Sequence, residues 1–212
     1  MAKYNALPSP SVRRLPLYLA LARQAEADGV QLISGTVLAN TLGLDAIQVR
    51  KDLAITGISG KPKIGYPVRD LVHYIEVFLD WQDGHKAILI GAGNLGSALL
   101  GYQGFKKNAL NFVAAFDIDS SIIGKTVHDI KIYNLSDLPV FMKHHPDAEI
   151  AVLAVPPAAA QGAAEVLENA GIRSIWNFTT VRLKVSASII VQNEDLLSGY
   201  ALLSACMRIQ RQ

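Results

Sequence analysis

The segment that most constrains the fold is a glycine-rich hexapeptide, GAGNLG, at residues 91–96. It follows the apolar run KAILI and matches the pattern G-x-G-x-x-G through Gly91, Gly93 and Gly96. After a strand, the first glycine permits a tight turn, the second lets a pyrophosphate approach the backbone, and the third lets helix and strand pack closely. A helix that begins near Asn94 would offer free N–H groups to the phosphates. The pattern therefore predicts the first strand, turn and helix of a dinucleotide-binding sheet.

From Lys86 onward, short apolar runs alternate with helical segments. The runs are rich in Ile, Val and Ala, which is typical of parallel strands buried on both faces: KAILIGAG, NFVAAFD, EIAVLAV and GIRSIWNF. Stretches such as LSDLPVFMKHH and AAAQGAAEVLENAG separate them. This alternation predicts an α/β domain with a doubly wound, Rossmann-like parallel sheet over residues 84–192. The remaining segment, 193–212, predicts an apolar helix that must pack against another surface.

An acidic residue ends the second apolar run, where sheets of this kind bind a ribose. Asp117 lies 21 residues beyond Gly96, and a carboxylate there can accept both ribose hydroxyls while it repels a 2′-phosphate. The sequence therefore predicts a site for NAD+/NADH. Asp119 is an alternative acid, although its place past the strand end favours a solvated loop. The predicted contacts are Gly91, Ala92, Gly93, Asn94, Leu95, Gly96 and Asp117.

The later strand ends offer no group for catalysis. They supply VPP (155–157) and NFTT (177–180), which contain no titratable side chain to move a proton. The five histidines and the single cysteine, Cys206, show no metal-ligand spacing. We therefore expect no catalytic residue, no metal ion and binding without turnover.

Composition limits the compartment. Half of the residues are hydrophobic and 18% are charged, which favours a folded core over disorder. One cysteine excludes an internal disulfide, and the N-terminus lacks the pattern of a secretion signal. No apolar run approaches the ~18–20 residues of a membrane span. We expect a cytoplasmic protein that does not enter a membrane.

The first 83 residues predict a helical domain. Periodic apolar residues indicate a helix over 11–29 and a linking helix over 69–81. Between them, two short helices are joined through Gly43-Leu44-Asp45, where Ser34 can cap the first helix and Asp45 the second. The predicted inward-facing residues of these short helices are Val37, Leu38, Leu42, Ile47, Leu53 and Ala54.

A basic hairpin is predicted next, at GISGKPKIGYPV (57–68). Two short helices followed by such a hairpin form a winged helix-turn-helix, which presents its second short helix to the major groove. Residues 1–66 contain eight Lys/Arg and four Asp/Glu, whereas the net charge of the whole chain is only +2. A basic first third favours a polyanion as partner. The sequence therefore predicts a DNA-binding domain over residues 1–83.

The second short helix carries side chains that suit DNA. Gln48 and Arg50 can contact base edges, whereas Lys51 suits a phosphate. Asp52 does not suit DNA, and we expect it to pair with an Arg or Lys of the protein itself. The complete set of predicted DNA contacts, which includes the hairpin lysines, is Ser34, Gln48, Arg50, Lys51, Lys61, Lys63 and Tyr66.

Seven segments stand in the order found in the Rex family of bacterial redox-sensing repressors: RRLPLY, QVRKDL, IGYPV, GAGNLGSAL, FDID, AVPPAAAQ and GIRSIWNF. The chain resembles this family over essentially its whole length. The resemblance implies a homodimer that exchanges its last helix and binds a palindromic operator when free or bound to NAD+. It also implies release by NADH. The chain departs from the family's pattern at 54–65, where Pro62 and Lys63 replace the usual Arg-Gly of the wing.

The resemblance assigns further roles. Because reduced nicotinamide is uncharged, an apolar pocket would favour it over cationic NAD+, and the residues expected near it are Val155, Pro156, Asn177 and Phe178. Asp195, at the head of the last helix, would accept a hydrogen bond from Tyr102 in one state and pair with Arg14 in the other. Asp195 also suits the ordinary role of an acid at a helix N-terminus. Two other functions stay open: a small NAD-dependent oxidoreductase with a helical cap, and a CoA-type nucleotide binder.

Overall fold

The computed structural model describes residues 7–211 and divides into two compact units, one ending at Asp83 and the other beginning at Gly84. The first unit is mainly helical. Its elements are α1 (Ser9–Ala27), β1 (Leu32–Ile33), α2 (Gly35–Leu42), α3 (Ala46–Ala54), β2 (Tyr66–Pro67) and α4 (Val68–Leu79).

The short helices begin and end where the sequence predicts. The Ser34 side chain accepts a hydrogen bond from the Val37 N–H, and the Asp45 side chain accepts from the N–H groups of Ile47 and Gln48. Gly43, at φ +64°, ends α2 in the left-handed conformation that glycine adopts without steric cost. Both predicted caps are thus confirmed, and they fix the helix-turn-helix locally.

The predicted inward faces of the short helices are partly wrong. Leu38 and Leu53 are buried, but Val37 and Ile47 are more than half exposed, and Ala54 is also exposed. In α3 the buried residues are Val49, Asp52 and Leu53. Ile47 and Val49 are two residues apart, which is more than half a turn of a helix with 3.6 residues per turn. Because Val49 faces the core, Ile47 lies on the opposite side of α3 and faces outward.

The predicted hairpin over 57–68 is shorter than expected. It pairs with itself only at a bridge between Lys61 and Gly65, and its last residues form β2, which pairs antiparallel with β1. Pro62 lacks an N–H for a longer ladder. A Cβ atom on Gly65 would lie 2.4 Å from the Ile33 carbonyl oxygen, so the wing returns closely against β1.

The second unit is a sheet covered by helices. Its elements are β3 (His85–Ile90), α5 (Asn94–Gly101), α6 (Gln103–Lys107), β4 (Leu110–Asp117), β5 (Thr126–Val127), β6 (Ile130–Asn134), α7 (Leu138–His144), β7 (Ala148–Leu153), α8 (Pro157–Asn169), β8 (Ser174–Asn177), β9 (Ile190–Asn193) and α9 (Leu196–Gln210).

Within the described residues, seven strands form one sheet in the order β5-β6-β4-β3-β7-β8-β9. All neighbours are parallel except β5 and β6. The six parallel strands follow the 3-2-1-4-5-6 order of doubly wound dinucleotide folds, which confirms the predicted class. The central strands β3, β4 and β7 are the apolar runs that the sequence identified. The sequence analysis missed β5, β6 and β9 because these short strands lack a continuous apolar run.

Candidate nucleotide site and nucleic-acid interface

The glycine turn between β3 and α5 tolerates no side chain at two of its three glycines. Gly91 has φ +92°, and a Cβ there would lie 2.6 Å from the Ala154 carbonyl oxygen. A Cβ on Gly96 would lie only 1.9 Å from the Gly91 carbonyl oxygen. Gly93 is different, because it is exposed and a Cβ there would meet no protein atom within 4 Å. The space above Gly93 is therefore open to a ligand.

A cavity of about 370 Å³ opens beside this turn, at the carboxyl ends of the strands. It lies where the strand order reverses, between β3 and β7, which is where open α/β sheets bind ligands. It brings together Gly91, Gly93 and Asp117 with Val155 and Pro156. The sequence analysis did not single out the cavity's other main lining residues, Ile118, Ile122, Leu135, Ala159 and Gly162. Ile118 and Ile122 follow Asp117 in the loop after β4. Isoleucine in a loop so close to the predicted ribose acid was the signal that could have identified them.

Asp117 also organises the turn itself. Its carboxylate accepts hydrogen bonds from the backbone N–H groups of Ala92 at 2.7 Å, Ile118 at 2.7 Å and Asp119 at 3.0 Å. The alternative acid, Asp119, lines the same cavity. A hydrogen bond from the Ser121 side chain holds the pKa of Asp119 below its usual value. Both acids therefore reach the cavity, and Asp117 is the one tied to the glycine turn.

The two predicted contacts from β8 and its loop lie elsewhere. Asn177 is 0% exposed. Its side-chain nitrogen donates to the Val181 carbonyl oxygen and to Asn193 Oδ1, and its side-chain oxygen accepts from the Thr179 N–H. The Asn177 side chain therefore holds the loop, and the residue lies between the paired strands β7 and β9. Phe178 lines a second cavity, of about 570 Å³, together with Asp195 and Leu196.

The terminal helix α9 is apolar and unburied. All of its residues are exposed, and its large apolar side chains are Leu196, Leu197, Tyr200, Leu202, Leu203, Met207 and Ile209. Asp195 caps it by accepting a hydrogen bond from the Leu197 N–H at 2.9 Å. Exposed apolar surface of this extent on one element marks an interaction site.

The other two predicted switch residues are Tyr102 and Arg14. The Tyr102 ring is 60% exposed and packs edge-on against Phe105, with ring centroids 4.9 Å apart. It borders a different cavity from the one that Asp195 lines. Arg14 lies in the first unit, on α1, where its guanidinium is bonded to Asp52.

The first unit has a basic concave surface between α2, α3 and the wing, which encloses a cavity of about 680 Å³. It brings together Ser34, Arg50, Lys61, Lys63 and Tyr66, five of the predicted DNA contacts. Lys63 has a left-handed backbone, φ +61°, at the wing position where the resemblance expects glycine. Lys51 is exposed on α3 outside this concavity.

Tyr66 is largely buried, although it also lines the concave surface on which the sequence analysis expected it. It is 7% exposed, and its ring covers Gly60, where a Cβ would lie 2.9 Å from the ring. Burial raises the pKa of Tyr66, and the charge of Arg50 opposes this. Because β2 pairs with β1 at Tyr66, the alternation of the strand turns this ring inward.

Asp52 is the centre of a buried hydrogen-bond cluster that joins α3 to α1. Arg14 donates to it twice, from Nε at 2.6 Å and from Nη2 at 2.8 Å, which confirms the expected partner within the protein. The Tyr18 hydroxyl donates at 2.6 Å. Burial alone would raise the pKa of Asp52, but the hydrogen bonds from Arg14 and Tyr18 outweigh it and hold this pKa well below its usual value. Burial and the bond to Asp52 raise the pKa of Tyr18 to about 12.

The described residues 7–211 were also searched for a metal-binding cluster and for a membrane-spanning helix. They contain no cluster of three His, Cys, Asp or Glu side chains that could hold a metal ion. None of the helices among them is both long and apolar enough to cross a membrane.

Known proteins resemble both units. Residues 6–54 match a family profile described as "Putative DNA-binding protein N-terminus", and residues 82–181 match one described as "CoA binding domain". Crystal structures of RSP in complex with β-NAD+ and operator DNA, and with β-NADH, are 30% and 29% identical. Their TM-scores are 0.87 and 0.85, over 97% of this chain and 94% and 96% of theirs.

The similarity to a curated relative extends along the entire sequence. The redox-sensing transcriptional repressor Rex of Treponema denticola is 52% identical over 211 residues, which cover 100% of both chains. At that level of identity over its full length, the chain belongs to the Rex family of redox-sensing transcriptional repressors.

Proposed function

We propose that this protein is a cytoplasmic repressor that binds operator DNA when free or bound to NAD+ and that NADH releases. The observation that carries the proposal is the presence, in one chain, of a dinucleotide cavity in the second unit and a basic helix-turn-helix surface in the first. The similar RSP structures contain β-NADH in one case and β-NAD+ with operator DNA in the other. Release of DNA by NADH requires only that the protein binds both ligands, so no catalytic residue is required.

The turn and Asp117 favour NAD(H) over other nucleotides. The Ala92 N–H is held by Asp117, so the groups left for a pyrophosphate are the first N–H groups of α5, beginning at Asn94. A carboxylate beside the ribose disfavours NADPH and CoA, because both carry a phosphate on the adenosine ribose. The oxidoreductase alternative would need a proton donor at the nicotinamide, and the residues that we expect there after β7 are Val155 and Pro156.

The basic concavity favours a DNA backbone. Its cations and the N-terminus of α2 suit a phosphate, and α3 would then lie in the major groove. Arg50 faces this surface, since a Cβ added to Gly35 would lie 3.5 Å from its Cγ. The DNA contacts that we propose are Ser34, Gln48, Arg50, Lys51, Lys61, Lys63 and Tyr66.

The exposed apolar face of α9 supports a homodimer. We assign as its occupant a second copy of this chain, with the two helices exchanged. A twofold dimer would place two α3 helices about 34 Å apart, or a small multiple of that, and would therefore select a palindromic operator.

Arg14 can take part in a relay without leaving Asp52. A guanidinium has five N–H donors, and two of them are bonded to Asp52. In an exchanged dimer, Asp195 could pair with the donors that remain in the NADH-bound state and accept from Tyr102 in the DNA-bound state. NADH must favour the first state over the second, since otherwise no equilibrium would move.

A gel shift on palindromic duplexes tests the function directly. We expect NADH to release the DNA, NAD+ to leave it bound, and NADPH and CoA to have no effect. The affinity should fall steeply with salt because Lys and Arg displace counterions from the phosphates. In the same assay, Asp195→Ala should bind DNA normally and respond weakly to NADH. A protein that ignores duplex DNA at low salt, or that holds it equally with both forms of the nucleotide, would contradict the proposal.

Charge placed on the apolar face of α9 should separate the dimer. Leu203→Glu puts a carboxylate into the surface that the second copy would cover, and burying an unpaired charge is costly. We expect a monomer by light scattering and a loss of operator affinity of on the order of a hundredfold, since one half-site is lost. Gln210→Glu, which adds the same charge at the end of the helix, is the matched control and should stay dimeric. A wild-type protein that is monomeric at micromolar concentration would rule out this assembly.

A further inference from the structure

Asp52 is a buried carboxylate that contacts neither of the proposed ligands. Its side chain is 0% exposed, and its two oxygens accept four hydrogen bonds. Oδ2 accepts from Arg14 Nε and from the Tyr18 hydroxyl, and Oδ1 accepts from Arg14 Nη2 and from Gln48 Nε2 at 2.8 Å. A carboxylate has about four lone-pair sites, so these donors satisfy it completely.

Gln48 is the member of this cluster that is also a proposed DNA contact, on α3 outside the basic concave surface. It stands three residues after the Asp45 cap, where a glutamine often turns back towards the cap residue. Here it turns forward to Asp52, one turn later on α3. Because a carboxylate can only accept, the amide atom bound to it is the nitrogen Nε2. The amide is planar, so its oxygen Oε1 is directed away from Asp52.

We propose that Asp52 is a positioning residue that fixes which hydrogen-bonding group Gln48 presents to DNA, and that it thereby sets base preference at one operator position. The inference rests on the proposed function, since it requires α3 to lie in the major groove. With Nε2 bound to Asp52, Gln48 presents the acceptor Oε1. An acceptor selects bases that carry an amino group in that groove, adenine through N6 or cytosine through N4.

Asp52→Asn should reverse this preference. The asparagine oxygen would take the place of Oδ2, which accepts from both Arg14 Nε and Tyr18. Its NH₂ would take the place of Oδ1, where it faces Gln48 and where the bond from Arg14 Nη2 is lost. Gln48 would then turn its amide over, accept with Oε1 and present its own NH₂ to DNA. That donor selects guanine or thymine, which offer O6, N7 or O4 as acceptors.

The test uses the full-length protein and an operator selected by the wild-type protein from a randomised duplex library. Each base pair of that operator is then replaced in turn and the affinities are measured. Gln48→Ala identifies the position that Gln48 reads. Asp52→Asn should change the preference at that same position by about tenfold, the lower range of a good base contact. It should have no further effect there in a Gln48→Ala background.

Tyr18→Phe is the matched control. It removes a donor from Oδ2 but leaves the bond between Oδ1 and Gln48, so it should leave base preference unchanged. If Asp52→Asn weakens all operators equally, or alters preference with Gln48 absent, the carboxylate has a merely structural role and the inference is wrong. A selection that enriches no sequence at all would instead contradict the proposed function, so the two failures are distinguishable.

The wild-type protein supplies a second measurement that does not require the Asp52 variant to fold. Gln24 donates to Asp28 with the same spacing at 2.9 Å, but on an exposed surface. The side-chain amide protons of Gln48, assigned by their loss in Gln48→Ala, should exchange with solvent more slowly than those of Gln24. Equal exchange at the two glutamines would show that Asp52 does not hold Gln48 and would overturn the inference.

Discussion

Gly93→Ala should leave the second unit folded and remove its response to NADH, whereas Gly96→Ala should strongly destabilise it. A Cβ on Gly93 meets no protein atom within 4 Å, and its backbone, at φ −66°, suits alanine. We expect a change of less than about 0.5 kcal/mol in the free energy of unfolding, as for other unstrained surface sites. The new methyl group would stand where the pyrophosphate approaches. NADH affinity should therefore fall by on the order of a hundredfold, about 2.8 kcal/mol.

Gly96 differs because the obstacle is the protein itself. Its Cβ would lie 1.9 Å from the Gly91 carbonyl oxygen, so the turn would have to open. We expect a loss of at least about 3 kcal/mol in the free energy of unfolding, the upper part of the range for overpacking. Urea denaturation followed by Trp176 fluorescence, together with calorimetric titration of NADH, separates the two effects. If Gly93→Ala binds NADH as the wild type does, the nucleotide does not lie over this turn.

Arg14→Ala should be among the most destabilising single substitutions in the first unit. It would leave Asp52, which is fully buried, without its charged partner and with Tyr18, Gln48 and Ser11 as donors. Breaking a buried ion pair from one side costs about 3–5 kcal/mol, and the 25% exposure of the Arg14 side chain places it at the lower end of that range. Since whole domains are stable by about 5–15 kcal/mol, this loss removes a large part of the stability of the first unit.

Urea denaturation followed by Trp81 fluorescence, with Trp176 replaced by Phe, measures this loss. Arg23→Ala is the matched control: Arg23 pairs with Glu76 at 2.8 Å, but both side chains are partly exposed, and such pairs contribute about 1 kcal/mol or less. In an Asp52→Leu background, Arg14→Ala should lower the free energy of unfolding by about 1 kcal/mol or less, because no buried carboxylate is then left without its charged partner. An equal cost in both backgrounds would show that the carboxylate is not the cause.

The same cluster predicts how stability depends on pH. The folded pKa of Asp52 is lowered, so its contribution is complete above its unfolded pKa, about 3.9, and is lost as the pH falls through the folded value. The folded pKa of Tyr18 is raised from 10.0 to about 12, so its contribution is present below pH 10 and is lost as the pH rises through 12. Stability of the first unit should therefore be flat with respect to these two groups across neutral pH.

The sequence by itself determined the local elements. Ser34, Gly43 and Asp45 act on backbone groups two to four residues away, so the helix-turn-helix could be predicted without any partner. The apolar runs and the glycine turn likewise identified β3, β4 and β7, because strands buried on both faces must be apolar throughout. Asp117 could be assigned to the turn because a fixed distance along the chain separates the ends of two neighbouring strands.

Tertiary structure decided what depends on contacts between distant segments. Val49 and not Ile47 faces the core, and Tyr66 is largely buried, because both pack into one cluster with residues that are distant in the chain. The cluster of Asp52 with Arg14, 38 residues away, required the packing of α1 on α3. The Asn177 side-chain amide forms its hydrogen bonds within the protein, including one to Asn193 on β9, 16 residues away, and no local sequence pattern predicts that partner. The physical reason is that caps and turns are satisfied by neighbours in sequence, whereas burial and the pairing of a charge depend on which surfaces meet when the chain folds.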